Sequence, residues 1–200
     1  MIEIEKRLGL GSLEAADLKE SLVDTFTFSE QVPRTILVKT GEGFVPDRDS
    51  LVDIKVKLIG DDSILSIKHG SWHGGTARQE YETRFDRADL SSVLGSLLVL
   101  SYSKFILLST LRTVWRAEHC IITLDEYTNV DKALFEVEAT ESGSEKDVDR
   151  VFKDLEIAPM DSSATINFIE GINRSKDVQI DLLERVPDDT AAFIIQSHPC

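Results

Sequence analysis

The pattern of apolar and polar positions predicts that the chain begins with a strand and a helix. Residues 2–7 alternate apolar with charged side chains, which is the two-residue period of a strand with one charged face. Behind Ser12, apolar residues recur at helical spacing, so an amphipathic helix is predicted over 12–26. From 35 to 85, short strand-like runs are separated by Gly, Pro and Asp, as in an antiparallel meander, and no helix is expected there.

The second half of the chain repeats this plan. A helix is predicted over 89–100, and strand-like runs follow at about 104–116, 119–126 and 133–139. Residues 141–147 are rich in Glu, Ser and Gly and predict a loop. Two more helices are then expected, one carrying Val148, Val151, Phe152 and Leu155 on one face, the other Ile166, Phe168, Ile169 and Ile172.

The whole chain, residues 1–200, is expected to form a single domain. No repeat of fixed period, low-complexity tract or linker divides it, and the acidic tail after about 175 is left without an assigned structure. An apolar fraction of 42% is enough for a hydrophobic core. Two cysteines and an N-terminus without a signal-peptide pattern predict no disulfide framework and a cytoplasmic location.

One segment is apolar and long enough to be compared with a membrane span. Residues 93–111 are rich in Leu, Val and Ile, but Lys104 lies in their middle and serines recur throughout. Ser101-Tyr102-Ser103 predicts a break between a helix and a strand. We therefore expect no contact with a membrane.

The net charge limits the partners. With 36 acidic and 22 basic residues the formal charge is −14, which argues against a nucleic-acid duplex as the main ligand. The unusual feature is that strand after strand alternates apolar residues with charges of both signs. These charged positions include Glu3, Glu5, Arg7, Lys55, Lys57, Lys68, Arg78, Glu80, Glu82, Arg84, Arg112, Asp125, Glu136 and Glu138.

The charged strand faces allow two interpretations. For any one strand, the charged face could be the solvated outside of a sheet. Taken together, they favour an α+β fold in which about eight antiparallel strands close into a barrel with helices packed outside, so that the charges line a tunnel. Buried charges are costly unless they are paired or bind a counter-charged ligand. A triphosphate held by Lys and Arg, together with Mg²⁺ or Mn²⁺ held by carboxylates, satisfies that requirement.

The order of these charged motifs resembles the CYTH family of triphosphate tunnel metalloenzymes. That family includes thiamine triphosphatases, inorganic triphosphatases and class IV adenylate cyclases. The matching segments, in chain order, are Glu3-Ile4-Glu5-Lys6-Arg7, Lys55-Val56-Lys57, Leu65-Ser66-Ile67-Lys68, Arg78-Gln79-Glu80-Tyr81-Glu82, Thr110-Leu111-Arg112, Leu124-Asp125 and Phe135-Glu136-Val137-Glu138.

The resemblance implies a role for each group of side chains. The metal ligands would be Glu3, Glu5, Asp125, Glu136 and Glu138. The triphosphate would be gripped by Arg7, Lys55, Lys57, Lys68, Arg78 and Arg112. Catalysis would involve Arg7, Lys68, Glu80 and Glu82, with the two glutamates either orienting the attacking water or supporting the lysines.

The sequence departs from the family's pattern at four positions. Arg7 stands where the family has lysine, Lys55 and Lys57 where it has an arginine pair, and Thr110 where it has a lysine. Positive charge is kept at three of these positions and lost at Thr110. Because lysine is a point donor and arginine a bidentate fork, these changes put phosphate geometry and turnover in doubt more than phosphate binding.

Three functions follow from this pattern. The first choice is metal-dependent hydrolysis of an inorganic or organic triphosphate. The alternatives are cyclisation of ATP to cyclic AMP and a non-catalytic polyphosphate- or nucleotide-binding module. The substrate and the oligomeric state, a dimer included, stay open. The glycine-rich segment 69–75 lacks the Gly-Lys-Ser/Thr of a P-loop, and the pairs His119 with Cys120 and His198 with Cys200 match no common zinc spacing.

Overall fold

The computed structural model consists of one antiparallel sheet and five α-helices, within the residues that it describes. These residues are 2–40, 51–70, 78–128, 130–175, 179–184 and 186–197. The strands are β1 (Ile2–Glu3), β2 (Glu5–Leu10), β3 (Thr27–Lys39), β4 (Leu51–Ile59), β5 (Asp62–Gly70), β6 (Arg78–Arg84), β7 (Lys104–Arg116), β8 (Cys120–Tyr127), β9 (Ala133–Ala139) and β10 (Gln179–Asp181). The helices are α1 (Ser12–Thr25), α2 (Leu90–Val99), α3 (Glu145–Asp154), α4 (Ser162–Ser175) and α5 (Pro187–Ser197).

The N-terminal strand closes the sheet into a barrel. The strand order is β1-β6-β5-β4-β3-β7-β8-β9-β2, so β1 and β2 lie at its two ends. Only Ile4 separates β1 from β2, and they therefore act as one strand that pairs with β6 through its first residues and with β9 through the rest. The result is the expected α+β architecture, a barrel of eight strand positions, with the short β10 added beside β7.

Two apolar layers cover the outside of the barrel. Helices α1 and α3 pack on β8, β9 and β2, and α2 and α5 pack on the opposite side, against β4, β3 and β7. Trp115, Phe135 and Leu22 are fully buried in the first layer, and Leu94 and Phe105 in the second. Because neighbouring residues on a strand face opposite sides, burying these side chains outside turns the intervening charged residues into the barrel.

The structure also contains elements that the periodicity did not predict. Strand β3 begins at Thr27 rather than near 35, since residues 27–31 are exposed and gain their order from pairing with β7. Helix α3 begins at Glu145, inside the expected loop, where Ser144 and Asp147 form a capping box. The acidic tail after 175 contains β10 and α5, which bury Ile180 and Ile194.

Several predicted boundaries are confirmed. Helix α1 spans Ser12–Thr25, and α2 spans Leu90–Val99 behind a short 3₁₀ turn. Ser101, which has a φ of 68°, makes the expected break before β7. No helix in the described part of the chain is both long and apolar enough to cross a membrane.

Helix α4 packs closely against β2 at Gly9. Gly9 of β2 faces the ring of Phe168, and a Cβ at position 9 would lie 2.3 Å from Cδ2 of that ring. We therefore expect Gly9→Ala to displace Phe168 and to lower the free energy of unfolding by roughly 1–3 kcal/mol, measured by urea denaturation. The ammonium of Lys132 lies over the ring of Phe168, 5.3 Å from the ring centroid. Displacing Phe168 would therefore disturb this cation–π contact as well.

The matched control for this prediction is Gly95→Ala in α2. A Cβ at Gly95 meets nothing within 4 Å, and alanine favours a helix over glycine by about 0.5–1 kcal/mol. This variant is expected to be as stable as the parent chain or more so. Equal stability of the G9A and G95A proteins would contradict the packing of α4 on β2.

Candidate functional site

The barrel encloses a cavity of about 390 Å³ whose wall is rich in charge. A cavity of this size lies within the range that holds small ligands. Most of the predicted site residues line it, although they come from strands far apart in the chain. They are Glu5, Arg7, Lys55, Lys57, Lys68, Glu80, Glu82, Arg112, Asp125, Glu136 and Glu138. The side chains of Glu3 and Arg78, which were also predicted, lie outside the described residues.

Arg7 connects two of the predicted metal ligands. Its Nη2 lies 2.5 Å from Oε1 of Glu5, and its Nε donates to Oε1 of Glu136 at 2.6 Å. Arg7 and Glu136 face each other across the β2–β9 pair, so their side chains share one face of the sheet. All three side chains are at most 16% exposed, which makes these ion pairs much less screened than surface pairs.

Asp125 accepts hydrogen bonds from two arginines. Arg112, opposite it on β7, donates from Nε to Oδ1 at 2.8 Å and from Nη2 to Oδ2 at 2.5 Å. Arg34 reaches across β7 from β3 and donates from Nη1 to both oxygens at 3.0 Å. Arg112 also contacts Oε2 of Glu136 at 3.2 Å. Six charges of alternating sign therefore run continuously along the tunnel wall from β2 to β3.

The lysines gather around Glu80 on the other side of the tunnel. Oε1 of Glu80 accepts a hydrogen bond from Oγ of Ser66 at 2.7 Å, and Oε2 lies 3.3 Å from Nζ of Lys68. Nζ of Lys57 lies 3.6 Å from Glu80 and donates to Glu82 at 2.6 Å. Glu80 thus contacts two lysines, whereas the Glu82 side chain is 45% exposed and contacts Lys57.

The pKa values record the mutual influence of these charges. For Asp125, burial raises the pKa, but Arg112 and Arg34 lower it more, and the net result is a lowered pKa. Burial also raises the pKa of Glu136, whereas Arg7 and Arg112 bring it well below its usual range. Both carboxylates are therefore ionised at neutral pH.

Lys55 shows the opposite effect. Asp53, 3.3 Å away, raises its pKa, but burial and the neighbouring cations Lys68, Arg7 and Lys57 lower it more, so that it lies below the ordinary lysine value of 10.5. Three other positive charges thus lie close enough to oppose the protonation of Lys55. A polyanion placed among them would relieve that repulsion.

Three charged residues of the cavity wall are absent from the set predicted from the sequence: Arg34, Asp53 and Glu170. Glu170 lies on α4, outside the strands that supplied that set, and pairs with Arg174. Asp53 precedes Lys55 by two residues, and extending the strand alternation by one step would have included it. No such signal marks Arg34, because its neighbours along the strand are mostly apolar. The strand was also predicted to begin near residue 35, whereas it begins at Thr27. The exposed fraction of Arg34 is 5%.

The cavity has a second, apolar part. Ile172 of α4 packs with Ile36, Val38 and Leu108, which lie on the tunnel face of β3 and β7. Ile166 and Ile169 line the same wall. Helix α4 therefore covers part of the tunnel, in addition to the helices packed outside the barrel.

The predicted metal ligands fit a divalent cation unequally. Mg²⁺ and Mn²⁺ prefer carboxylate oxygens, which all of these residues supply. Both oxygens of Asp125 and of Glu136, however, contact arginine, whereas Glu5 contacts Arg7 through Oε1. Glu5 and Glu138 are register partners on β2 and β9, so their carboxylates face the tunnel from neighbouring positions. Among the described residues no three His, Cys, Asp or Glu side chains converge as metal ligands do. The donor set therefore suits a cation better at Glu5 and Glu138 than at Asp125 and Glu136.

Comparisons with known proteins identify the fold. No protein-family model and no curated protein matches the chain. Solved structures do match. A candidate adenylyl cyclase from Hippeastrum, described as having a dominant triphosphatase activity, is 21% identical, with 86% of this chain and 96% of that chain covered and a TM-score of 0.56.

Two further solved structures, one bacterial and one archaeal, also match the fold. A candidate adenylate cyclase from Bacillus halodurans is 21% identical over 80% of this chain and 92% of that one, with a TM-score of 0.54. The PH1012 protein of Pyrococcus horikoshii is 13% identical over 78% and 91%, with a TM-score of 0.59. The chain shares the fold of these proteins, which agrees with the fold implied by the CYTH resemblance.

Proposed function

We propose that the tunnel binds a triphosphate and hydrolyses it with the help of Mg²⁺ or Mn²⁺. The observation that carries this proposal is the composition of the cavity wall. Among its described residues, six are cationic and eight are acidic. The cations suit phosphate oxygens, and the surplus of carboxylates suits a divalent cation that accompanies the polyanion. The six cations are Arg7, Arg34, Lys55, Lys57, Lys68 and Arg112.

The proposed mechanism depends on positioning and charge neutralisation. Phosphoryl transfer needs little covalent help from a protein, so a rigid tunnel with fixed cations can accelerate it. Lys55, Lys57 and Lys68 would hold the phosphate chain on one side, and Arg7 and Arg112 on the other. A divalent cation held by Glu5 and Glu138 would neutralise phosphate charge and polarise the bond to be broken.

The two glutamates of β6 have different proposed roles. Glu80 holds Lys57 and Lys68 and would fix the positions of their ammonium groups. Glu82 is the more exposed of the two and would orient the water that attacks the terminal phosphorus.

The structural neighbours favour two chemistries for this fold. The Hippeastrum protein, with its dominant triphosphatase activity, supports hydrolysis, and the name adenylate cyclase supports cyclisation of ATP with loss of pyrophosphate. Hydrolysis remains our first choice because it requires only that the site bind the phosphate chain and a metal, whereas cyclisation also requires an adenine pocket.

The deciding experiment measures phosphate and pyrophosphate release from tripolyphosphate, ATP and thiamine triphosphate with Mg²⁺, Mn²⁺ or EDTA. Metal-dependent phosphate release is the expected result, and the ranking of substrates would define the subclass. Pyrophosphate from ATP alone would replace the proposal with the cyclase. No release, combined with a rise in melting temperature on adding tripolyphosphate, would replace it with a binding module.

The lowered pKa of Lys55 predicts the pH dependence of triphosphate binding. The ammonium form binds phosphate, so affinity should fall as the pH rises through this pKa, below the ordinary lysine value of 10.5. Lys55→Arg should move the alkaline limit upward because arginine stays charged. Isothermal titration with tripolyphosphate in EDTA across the alkaline range measures this limit. An unchanged limit in the K55R protein would show that another group sets it.

A further inference from the structure

Arg34 is a buried arginine that no motif of the sequence points to. Its exposed fraction is 5%, and it lies in the wall of the cavity. Nη1 donates to both oxygens of Asp125, while Nε has no hydrogen-bond partner among the described residues. An unsatisfied guanidinium nitrogen in a buried position is costly, so the position calls for an explanation.

The register of the sheet places Arg34 directly opposite Thr110. The two are paired residues of β3 and β7, so their side chains share the tunnel face. Thr110 is 2% exposed, and its Oγ1 also lacks a partner among the described residues. Thr110 itself carries no charge. Arg34 brings a positive charge to the same point from the adjacent strand.

The charges around Asp125 explain what Arg34 would contribute. Arg112 and Asp125 contact each other at 2.8 and 2.5 Å, and alone they would form a neutral pair. With Arg34 on the same carboxylate, the three side chains carry a net charge of one positive unit. Arg112 also contacts Glu136, which Arg7 binds as well. Arg34 compensates Asp125, so that Asp125 does not cancel the charge that Arg112 can offer to an anion in the tunnel.

We propose that Arg34 is a positioning residue of the triphosphate site, which adds a positive charge beside the uncharged Thr110 and keeps Arg112 effective by neutralising Asp125. Asp125 then anchors two guanidinium groups and is not a metal ligand. The proposal rests on the proposed function, because it assumes that the tunnel binds a triphosphate. Arg34 acts through Asp125 and Arg112, and no contact between Arg34 and the substrate is required.

The test moves a positive charge from position 34 on β3 to position 110 on β7. We compare the parent chain with R34Q and with the double variant R34Q/T110K, in which a lysine at position 110 replaces the lost cation. Binding of tripolyphosphate is measured in EDTA by isothermal titration and by the shift in melting temperature, so that the readout does not depend on turnover. R34Q is expected to bind at least about tenfold more weakly, and R34Q/T110K to recover most of that loss.

Two further variants separate charge from structure. R84Q removes an arginine of β6 whose side chain is 75% exposed and pairs with Asp62, and it should bind like the parent chain. R34K keeps the charge but loses the guanidinium, and it should bind more tightly than R34Q. Because removing a partner from a buried ion pair can unfold a protein, R34K and R34Q/T110K carry the test if R34Q does not fold.

The outcomes distinguish this inference from the proposed function. Binding by the parent chain that R34Q leaves unchanged would overturn the role of Arg34 and leave the proposed function standing. Loss in R34Q without recovery in R34Q/T110K, when both are folded, would overturn the claim that the positive charge of Arg34 is what this part of the tunnel wall needs. No binding by the parent chain would overturn the proposed function, and the role of Arg34 with it.

Discussion

Replacing Asp125 with asparagine is expected to lower the free energy of unfolding by about 3–5 kcal/mol, although the two side chains have nearly the same shape. Asp125 is 4% exposed and is shared by Arg34 and Arg112. The amide carries no charge and has only one oxygen acceptor, so the buried Arg34 would lose its ion-pair partner, and Arg112 would keep Glu136 as its carboxylate contact among the described residues. Urea denaturation at neutral pH measures the change, and the melting temperature should fall by roughly 6–20 °C.

Glu126→Gln is the matched control, one residue further along the same strand. Glu126 faces the outside of the barrel and pairs with Lys19 at 2.6 Å, with both side chains about one third exposed. Ion pairs of this kind contribute roughly 0–1 kcal/mol, so this variant should be close to the parent chain. Equal losses in the D125N and E126Q proteins would show that the arginine cluster does not stabilise the barrel.

Removing the two carboxylates best placed for a metal should abolish turnover and spare phosphate binding. In the double variant Glu5→Gln with Glu138→Gln, metal-dependent phosphate release from tripolyphosphate is expected to fall at least about a hundredfold, because charge neutralisation by the cation contributes several kcal/mol. Binding of tripolyphosphate in EDTA should stay the same or become tighter, since two negative charges leave the tunnel. Phosphate release and isothermal titration give the two readouts.

A pair of surface glutamates supplies the control. Glu20 on α1 and Glu141 before α3 are exposed, and E20Q/E141Q makes the same change in net charge outside the tunnel. It should leave release and binding unchanged. Full metal-dependent activity in E5Q/E138Q would refute the assignment of these carboxylates to the metal. If that variant no longer bound tripolyphosphate in EDTA, the result would mean instead that Glu5 holds Arg7 in place.

Much of the barrel could be predicted from local patterns. Alternation along Glu3–Arg7, Lys55–Lys57 and Glu136–Glu138 depends only on the two-residue period of a strand, which any window of the chain displays. Helices α1 and α2 likewise follow from apolar spacing, although the N-cap of α1 is Gly11 and not the serine that the sequence suggested. These features are local, and tertiary contacts reinforce them.

The remaining features depend on contacts between distant segments. Residues 27–31 of β3 are exposed and have no alternation to recognise, and β7 holds them in the sheet. The tail after 175 looks acidic, yet Ile180 pairs into β7 through the backbone of Gln179–Asp181 and is buried there. A propensity scale contains no information about such partners, because the partner lies far away along the chain.

The candidate site likewise has features that the sequence predicts and features that depend on contacts between distant segments. Residue types and spacing were enough to indicate a tunnel with lysines, arginines and carboxylates on its inner face. Which carboxylate meets which cation depended on strand order and register: β3 lies beside β7, so Arg34 reaches Asp125 over a sequence separation of 91 residues. Electrostatic partners are set by distances of a few ångströms, and those distances exist only once the barrel has closed. For that reason Arg34 could be found, and Asp125 reinterpreted as an arginine anchor, only in the folded chain.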